Sequence, residues 1–406
     1  MRTRAKTVKN GFTIKMKCNI IYKKRNRDGL RLSHKESKMA YDFKTVCKQF
    51  DVKGEYFDCV PYGEGHINET FLLTTANADG SKNKYILQRI NSNLFKDVAR
   101  LMNNIYLVTE FARKKIVERG GNPDRESLTV VKTKDDGLYY CDGTNFFRIY
   151  LFIDDATAYQ KVEKPEHFYE SAVAFGNFAN LLAEFDASKL YEPLPDFHNT
   201  VKRFENLEVA VAKNKAGRLD GVKAEVAFAL LHKPLVDKIV YQLQNGIIPC
   251  KVTHNDTKLN NVLIDNATDK AVAVIDLDTI MPGTIVYDFG DSIRFGCNPA
   301  AEDEQDLSKV NFDIALFEQY VKGYMSTLRG SMTPAEAKNL ALGAILMTYE
   351  CGIRFLTDHL EGDVYFRIKR ENHNLDRART QFKLVSDMEA VFDQMNAIVD
   401  KYYNVK

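Results

Sequence analysis

No apolar run in this 406-residue chain reaches the roughly 20 residues that cross a bilayer, so a transmembrane segment is not expected. The short stretch Cys18-Asn-Ile-Ile-Tyr22 is too brief and too lysine-flanked to be the core of a secretory signal. The cysteines (18, 47, 59, 141, 250, 297 and 351) are odd in number and scattered, and none forms a Cys-x-x-Cys pair. That pattern excludes a sequence-evident zinc site or disulfide framework, and it suits reduced thiols in the cytoplasm. No internal repeat is present, and nothing in the body of the chain is compositionally biased.

Charge is what the N-terminus has in excess. Residues 1–38 hold 13 Lys/Arg and 2 Asp/Glu, whereas the remainder carries 44 basic against 53 acidic residues. The tail therefore reads as a basic, disordered extension, or as sequence translated upstream of a start at Met39. The acidic body argues against any specific nucleic-acid partner. At 406 residues the rest is long enough for two lobes with separate cores.

Periodicity divides it that way. Tyr56–Val60, Ile67–Thr75 and Lys84–Ile90 read as strands, with a polar turn at 77–81. Asn93–Gly120 reads as a long helix, followed by β-runs at 128–132, 138–141 and 146–153. From Pro165 onward the pattern is helical, with further helices near 312–328, 334–356 and 376–403. The expected fold is α+β and protein-kinase-like: a basic extension 1–38, a small β-rich N-terminal lobe 39–153 for nucleotide, and a larger, mainly helical C-terminal lobe 154–406. The crossover at Tyr150–Phe152 is expected to present adenine-contacting backbone groups.

The chemistry concentrates in His254-Asn-Asp256-Thr-Lys258-Leu-Asn-Asn261 and the β-run that ends Ile275-Asp276-Leu-Asp278. A His-x-Asp-x-x-x-x-Asn loop offers one carboxylate to a hydroxyl nucleophile and an amide oxygen to a metal; an aspartate at a strand end completes the metal site. Twenty residues separate Asp256 from Asp276, enough for a hairpin that folds them together. Phosphoryl transfer needs such a set because its catalysis is mostly positioning and charge neutralisation. On this reading Asp256 is the base, Lys258 steadies the transferred phosphoryl, Asn261 and Asp276 bind Mg²⁺, Asp278 assists, and His254 braces the loop. The bland alternative makes Asp256 and Asn261 ordinary turn formers.

Gly63-Glu-Gly65 between two strands suits a phosphate-covering loop. The third strand lacks the expected lysine: in Gln88-Arg89 only one side chain can face inward, Arg89 as a charge or Gln88 as a hydrogen-bond donor. Arg89 is favoured for its charge, with Glu110 on the long helix as its acid partner. The literal Asp288-Phe-Gly290 comes 32 residues after Asp256 and begins a helix-like run, so it is not the metal motif. Asp288 and Asp291 read instead as helix-terminal acids or structural acceptors. No Ala-Pro-Glu follows, which favours a small-molecule acceptor.

With Tyr62-Gly-Glu-Gly-His-Ile-Asn-Glu-Thr70, Tyr85-Ile-Leu-Gln-Arg-Ile-Asn91, Val274-Ile-Asp-Leu-Asp-Thr-Ile-Met-Pro-Gly283, Tyr287-Asp-Phe-Gly-Asp-Ser-Ile-Arg294 and the segment Tyr349–Phe366 added to that loop, the chain resembles the aminoglycoside-phosphotransferase-type small-molecule kinases. Within them it most resembles the N-acetylhexosamine 1-kinases, from about residue 40 to the end. The resemblance implies ATP and Mg²⁺ as cofactors and phosphorylation of the anomeric hydroxyl of GlcNAc or GalNAc to the sugar 1-phosphate. It points to His66, Phe295, Arg354 and Tyr365 as sugar contacts. An arginine fork suits acetamido and hydroxyl oxygens, and an aromatic ring covers a sugar's C–H face. Two plainer readings compete: Glu350, Arg354 and Asp358 as a salt-bridged helix stripe, and Phe295 and Tyr365 as core. Another small alcohol (choline, homoserine or an aminoglycoside), or a non-catalytic nucleotide-binding role, is the alternative. No membrane partner is expected, and the oligomeric state is left open.

Overall fold

A computed structural model describes residues 41–63 and 67–404. The basic extension, Gly65 and His66 lie outside the described residues.

Apolar alternation and capping residues explain most of the elements. Asp42 accepts from Thr45 N at the head of helix α1 (Phe43–Gln49). Strands β1 (Glu55–Pro61), β2 (Glu69–Ala76) and β3 (Lys82–Ile90) form an antiparallel meander, and Asp97 caps the long helix α2 (Val98–Glu118). The one-turn α3 (Pro123–Glu126) leads to β4 (Val130–Val131), β5 (Tyr140–Cys141) and β6 (Phe146–Leu151). The sheet order is β1-β2-β3-β6-β4, with β5 on β6, so β6 lies inside the sheet.

The chain crosses through β7 (Ala156–Thr157) into the helical lobe: α4 (Pro165–Leu181), α5 (Thr200–Lys213), α6 (Lys223–Leu231) and α7 (Lys238–Gln244). Then come β8 (Lys251–Thr253), the hairpin β9 (Val262–Asp265) and β10 (Ala271–Val274), and β11 (Met281–Gly283), which pairs with β8. Helices α8 (Ile285–Gly296), α9 (Ile314–Leu328), α10 (Pro334–Glu361), α11 (His373–Ala390) and α12 (Phe392–Tyr403) complete it. The fold is the expected one, an antiparallel-sheet lobe followed by a mainly helical lobe. The predicted final helix 376–403 is instead two, because Val391 leaves helical geometry and its N–H turns back to the Met388 carbonyl.

Helix α10 is the axis of the large lobe. A capping box between Thr333 and Glu336, with Pro334 at its first position, starts it; Gly362 in the left-handed region ends it. Contrary to the sequence expectation, it is long and apolar enough to span a membrane, but 83% of its most apolar window is buried inside the protein. It is a core helix, packed on α5, α8 and α11.

Helices α8 and α10 touch through backbone. A Cβ added at Gly290 would meet the Gly343 carbonyl oxygen, and one added at Gly343 would come 2.7 Å from the Val286 carbonyl oxygen. Gly290→Ala is expected to destabilise the fold by about 1–3 kcal/mol through overpacking, read as a lowered denaturant midpoint with unchanged slope. An unaltered midpoint would show that the helices separate freely.

Candidate active site

The loop after β8 is held from below by the first turns of α8. Asp288, fully buried, accepts His254 N at 2.9 Å and Asn255 N at 2.7 Å. Burial pushes its carboxyl up, and those two bonds oppose the shift. Asp291 accepts Thr257 N at 3.0 Å. Burial works to raise its pKa, but the adjacent Arg294 guanidinium prevails and holds it low. Both acids therefore serve as structural acceptors for the loop backbone. Asn255 takes a left-handed backbone (φ 64°), with its side-chain amide bonded to the Thr253 and Thr279 carbonyls. His254 spans two strands: Asp256 N donates to its Nδ1 at 3.2 Å, which assigns the proton to Nε2, facing the Ile275 carbonyl at 2.9 Å. It braces the loop, as expected.

This support leaves the Asp256 side chain partly exposed, at 25%. Its Oδ1 lies 3.0 Å from Lys258 Nζ. Burial works against the charged lysine, but the Asp256 charge and hydrogen bond hold its pKa above the usual value. Asn261 donates Nδ2 to the Asp256 carbonyl at 2.7 Å and to Oδ2 at 3.2 Å, so its amide oxygen remains for a cation. The β9–β10 hairpin brings the other acid alongside: Ile275 N donates to the Asn261 carbonyl at 2.9 Å, one residue before Asp276. Asp276 is exposed at the surface, yet the surrounding protein and the negative charges of Asp278 and Asp256 push its pKa up to about 6. Asp256, Lys258, Asn261 and Asp276 thus converge.

Around the nucleotide half the structure corrects several expectations. Gly63 has φ +73°, a left-handed turn that glycine takes without strain. Arg89 stands on the sheet face opposite Gln88 and is ion-paired with Glu69 on β2, so it is not the inward cation. Glu110 is exposed, with Arg113 at 3.7 Å, and serves no strand cation. The inward residue is Gln88, bonded to Thr70 Oγ1 at 3.0 Å. Beside it stands a charge the sequence reading overlooked: Arg148 on β6, 1% exposed and ion-paired with Asp278. A lone charged residue inside Phe-Phe-Arg-Ile-Tyr-Leu was the available signal. At the crossover Tyr150 is buried and paired with both β3 and β4; Leu151 N bonds the Thr129 carbonyl and Phe152 N the Lys84 carbonyl. Those donors are committed, so the N–H groups of Leu151 and Phe152 are not free for the expected adenine contact.

On the acceptor side, Glu350 and Asp358 do not pair with Arg354. Glu350 is buried between His198 Nδ1 (2.9 Å) and Thr200 Oγ1 (2.6 Å), and His198 Nε2 reaches the Asn255 carbonyl at 3.2 Å. Asp358 accepts the backbone N–H groups of Val364, Tyr365 and Phe366 at 2.8–2.9 Å and shapes that loop. The salt-bridged stripe is therefore absent. The Arg354 guanidinium instead lies 5.2 Å from the Phe197 ring centroid and 5.6 Å from that of Phe366. Tyr365 packs on Phe366 and is 59% exposed, not core. Phe295 is half-buried on the last turn of α8. A cavity of about 250 Å³ beside the loop is lined by residues that include Glu192, Asp196, Phe197, His198 and Asn255.

The donor chemistry fits a hard divalent cation: one free amide oxygen and one carboxylate of raised proton affinity, close to two further acids. Among the described residues no three acids, histidines or cysteines close on one point, so such an ion would also draw on nucleotide oxygens.

Comparison with solved structures places the fold. An aminopropanol kinase associated with a microcompartment superposes with a TM-score of 0.55 at 14% identity, covering 87% of this chain and 98% of its own. An aminoglycoside phosphotransferase from Alicyclobacillus acidocaldarius gives 0.56 at 12%, covering 91% and 99%. An amicoumacin kinase in complex with AMP-PNP and Ca²⁺ gives 0.51 at 12%, covering 91% and 96%. The sequence profile of the phosphotransferase enzyme family, APH, matches residues 58–325, which span the β-lobe, the catalytic loop and the acids of α8, and the chain belongs to that family.

Proposed function

We propose that the protein transfers the γ-phosphoryl group of ATP to the anomeric hydroxyl of an N-acetylhexosamine, GlcNAc or GalNAc, releasing ADP and the sugar 1-phosphate. The observation that carries the sugar reading is Arg354. It is held against two aromatic rings, next to the catalytic loop's Glu350–His198 brace, and has no ion-pair or hydrogen-bond partner among the described residues. Such a fork presents donors to acetamido and hydroxyl oxygens, and Tyr365 and Phe295 offer ring faces. Burial and the neighbouring Arg354 charge lower the pKa of Arg203, with Glu350 and Asp196 opposing them, so two guanidinium groups stand close together on this side.

Asp256 accepts the hydroxyl proton as the oxygen attacks phosphorus, and Lys258, at 3.0 Å, keeps that carboxylate oriented and faces the transferred group. Asn261 and Asp276 would hold Mg²⁺, which neutralises phosphate charge and orients the triphosphate. Purified protein with ATP, Mg²⁺ and GlcNAc or GalNAc is expected to give an anomeric phosphate signal by ³¹P NMR; absence of product with every N-acetylhexosamine would end this reading. Arg354→Ala is expected to raise the sugar KM about 10–100-fold, the worth of a lost charge-assisted hydrogen bond, with the ATP KM unchanged. An unchanged sugar KM would remove Arg354 from the acceptor site.

One observation favours a second acceptor. Glu192 and Asp196 line the cavity beside Asn255, whereas Arg354 touches only its Phe197 wall. That lining suits an ammonium group, so amino alcohols belong in the same assay panel.

A further inference from the structure

The place of the expected phosphate-binding lysine on β3 is taken by uncharged Gln88, and the charge comes from the neighbouring strand. Gln88 and Arg148 are direct partners across β3 and β6, so they share one sheet face. Arg148 Nε donates to Gln88 Oε1 at 2.9 Å, and its Nη1 donates to Asp278 Oδ1 and lies 3.7 Å from Met102 Sδ on α2. The long helix that supplies a glutamate partner in protein kinases offers a thioether here. The acid comes from the other lobe instead, two residues past Asp276 in the turn at Leu277–Thr279.

Asp278 is satisfied on both oxygens. Its Oδ2 accepts Asn68 Nδ2, and Asn68 Oδ1 accepts Asn91 N at 2.9 Å. One buried carboxylate therefore joins β6, the residue before β2 at the end of the glycine turn, and the turn that carries Asp276. All three partners are buried, with Asn68 8%, Arg148 1% and Asp278 3% exposed.

We propose that Arg148 and Asp278 form an inter-lobe latch that replaces the lysine–glutamate pair and positions the metal–nucleotide site, with Arg148 as its positioning residue. The latch ties the turn that carries Asp276 to β6 and to Asn68 before β2, and so fixes Asp276 relative to the small lobe. The inference rests on the reading of the chain as an ATP-dependent kinase but not on its acceptor.

The test is equilibrium binding of ATP to the full chain by calorimetry, with Mg²⁺ and with EDTA, beside thermal melting. Single removal of either partner strands a buried charge and lowers stability whatever its role. The informative variant is the neutral pair Arg148→Met with Asp278→Leu, which removes both charges together. It is expected to melt close to the unaltered chain yet bind ATP–Mg²⁺ about 10–100-fold more weakly, as loss of outer-shell partners does, with a smaller loss in EDTA and the acceptor KM unmoved. Retained ATP–Mg²⁺ affinity, or equal loss with and without Mg²⁺, would reduce the pair to a structural tie and overturn the proposal. Should the double variant fail to fold, Arg148→Lys keeps the charge and loses the fork: weakened ATP–Mg²⁺ binding at an unchanged melting point supports the latch, and wild-type binding overturns it. Because binding is read without acceptor, failure of every sugar leaves these results standing, whereas failure of the unaltered chain to bind ATP overturns both readings.

Discussion

Asp256→Asn is expected to lower kcat by about 10²–10⁴-fold while ATP–Mg²⁺ affinity stays within about twofold. The substitution keeps shape and removes the acceptor of the hydroxyl proton. The loop should not collapse, because its backbone hangs on Asp288, Asp291 and His254 and not on the Asp256 carboxylate. Stopped-flow or steady-state kinetics with parallel calorimetry separates the two effects. Equal losses of turnover and nucleotide affinity would mean that Asp256 is a metal ligand and not the base.

Asp276→Asn should do the reverse to binding and something less expected to stability. Burial, with the negative charges of Asp278 and Asp256 added to it, pushes the pKa of the Asp276 carboxyl up to about 6 from 3.8. A folded carboxyl that holds its proton to higher pH than the unfolded one binds more protons between those values. Stability therefore falls as pH rises through that window, and the penalty persists above it. Removing the charge should raise the melting temperature of the nucleotide-free protein at pH 7–8, by about 1–3 °C after allowance for the solvent at the tip, with no difference near pH 4. The same variant should lose most Mg²⁺-dependent ATP binding. Differential scanning fluorimetry across pH checks it, and a lower melting temperature at neutral pH would refute the crowding of charge. Function and stability are in conflict at this position, as they often are where like charges await a cation.

Much of this site was legible because phosphoryl transfer leaves a strict order of residue types. His254, Asp256, Asn261 and Asp276 could be singled out from spacing, and the structure brings them together across the β9–β10 hairpin. Dismissal of Asp288-Phe-Gly290 as a metal motif also followed from position, and the structure turns its acid toward the loop backbone. What was missed depends on pairing between segments distant in sequence. Arg148 meets Asp278 across 130 residues, and no local pattern announces that contact. The preference for Arg89 over Gln88 weighed charge above register, although Glu69 opposite it on β2 already supplied a partner. The stripe Glu350–Arg354–Asp358 looked self-sufficient by helical spacing, yet His198 and the loop at 364–366 claim its two acids. At the crossover, Tyr150–Phe152 has no spare N–H donors for the expected adenine contact, because β6 is an interior strand and its N–H groups are spent on neighbours.

The run from Glu350 to Arg354 on α10 spans a single turn, with the loop brace at one end and the arginine proposed to hold the acceptor at the other. Any slide or roll of that helix carries both together, so on the proposed reading the distance between a captured acceptor and the Asp256 carboxylate would be indexed to one rigid rod. On that reading new substrates could be accommodated by rewriting the segments around 192–199 and 362–366, which meet α10 at Glu350, Arg354 and Asp358, without retuning the reacting geometry. Such a division of labour lets one scaffold diversify its clientele through peripheral edits alone.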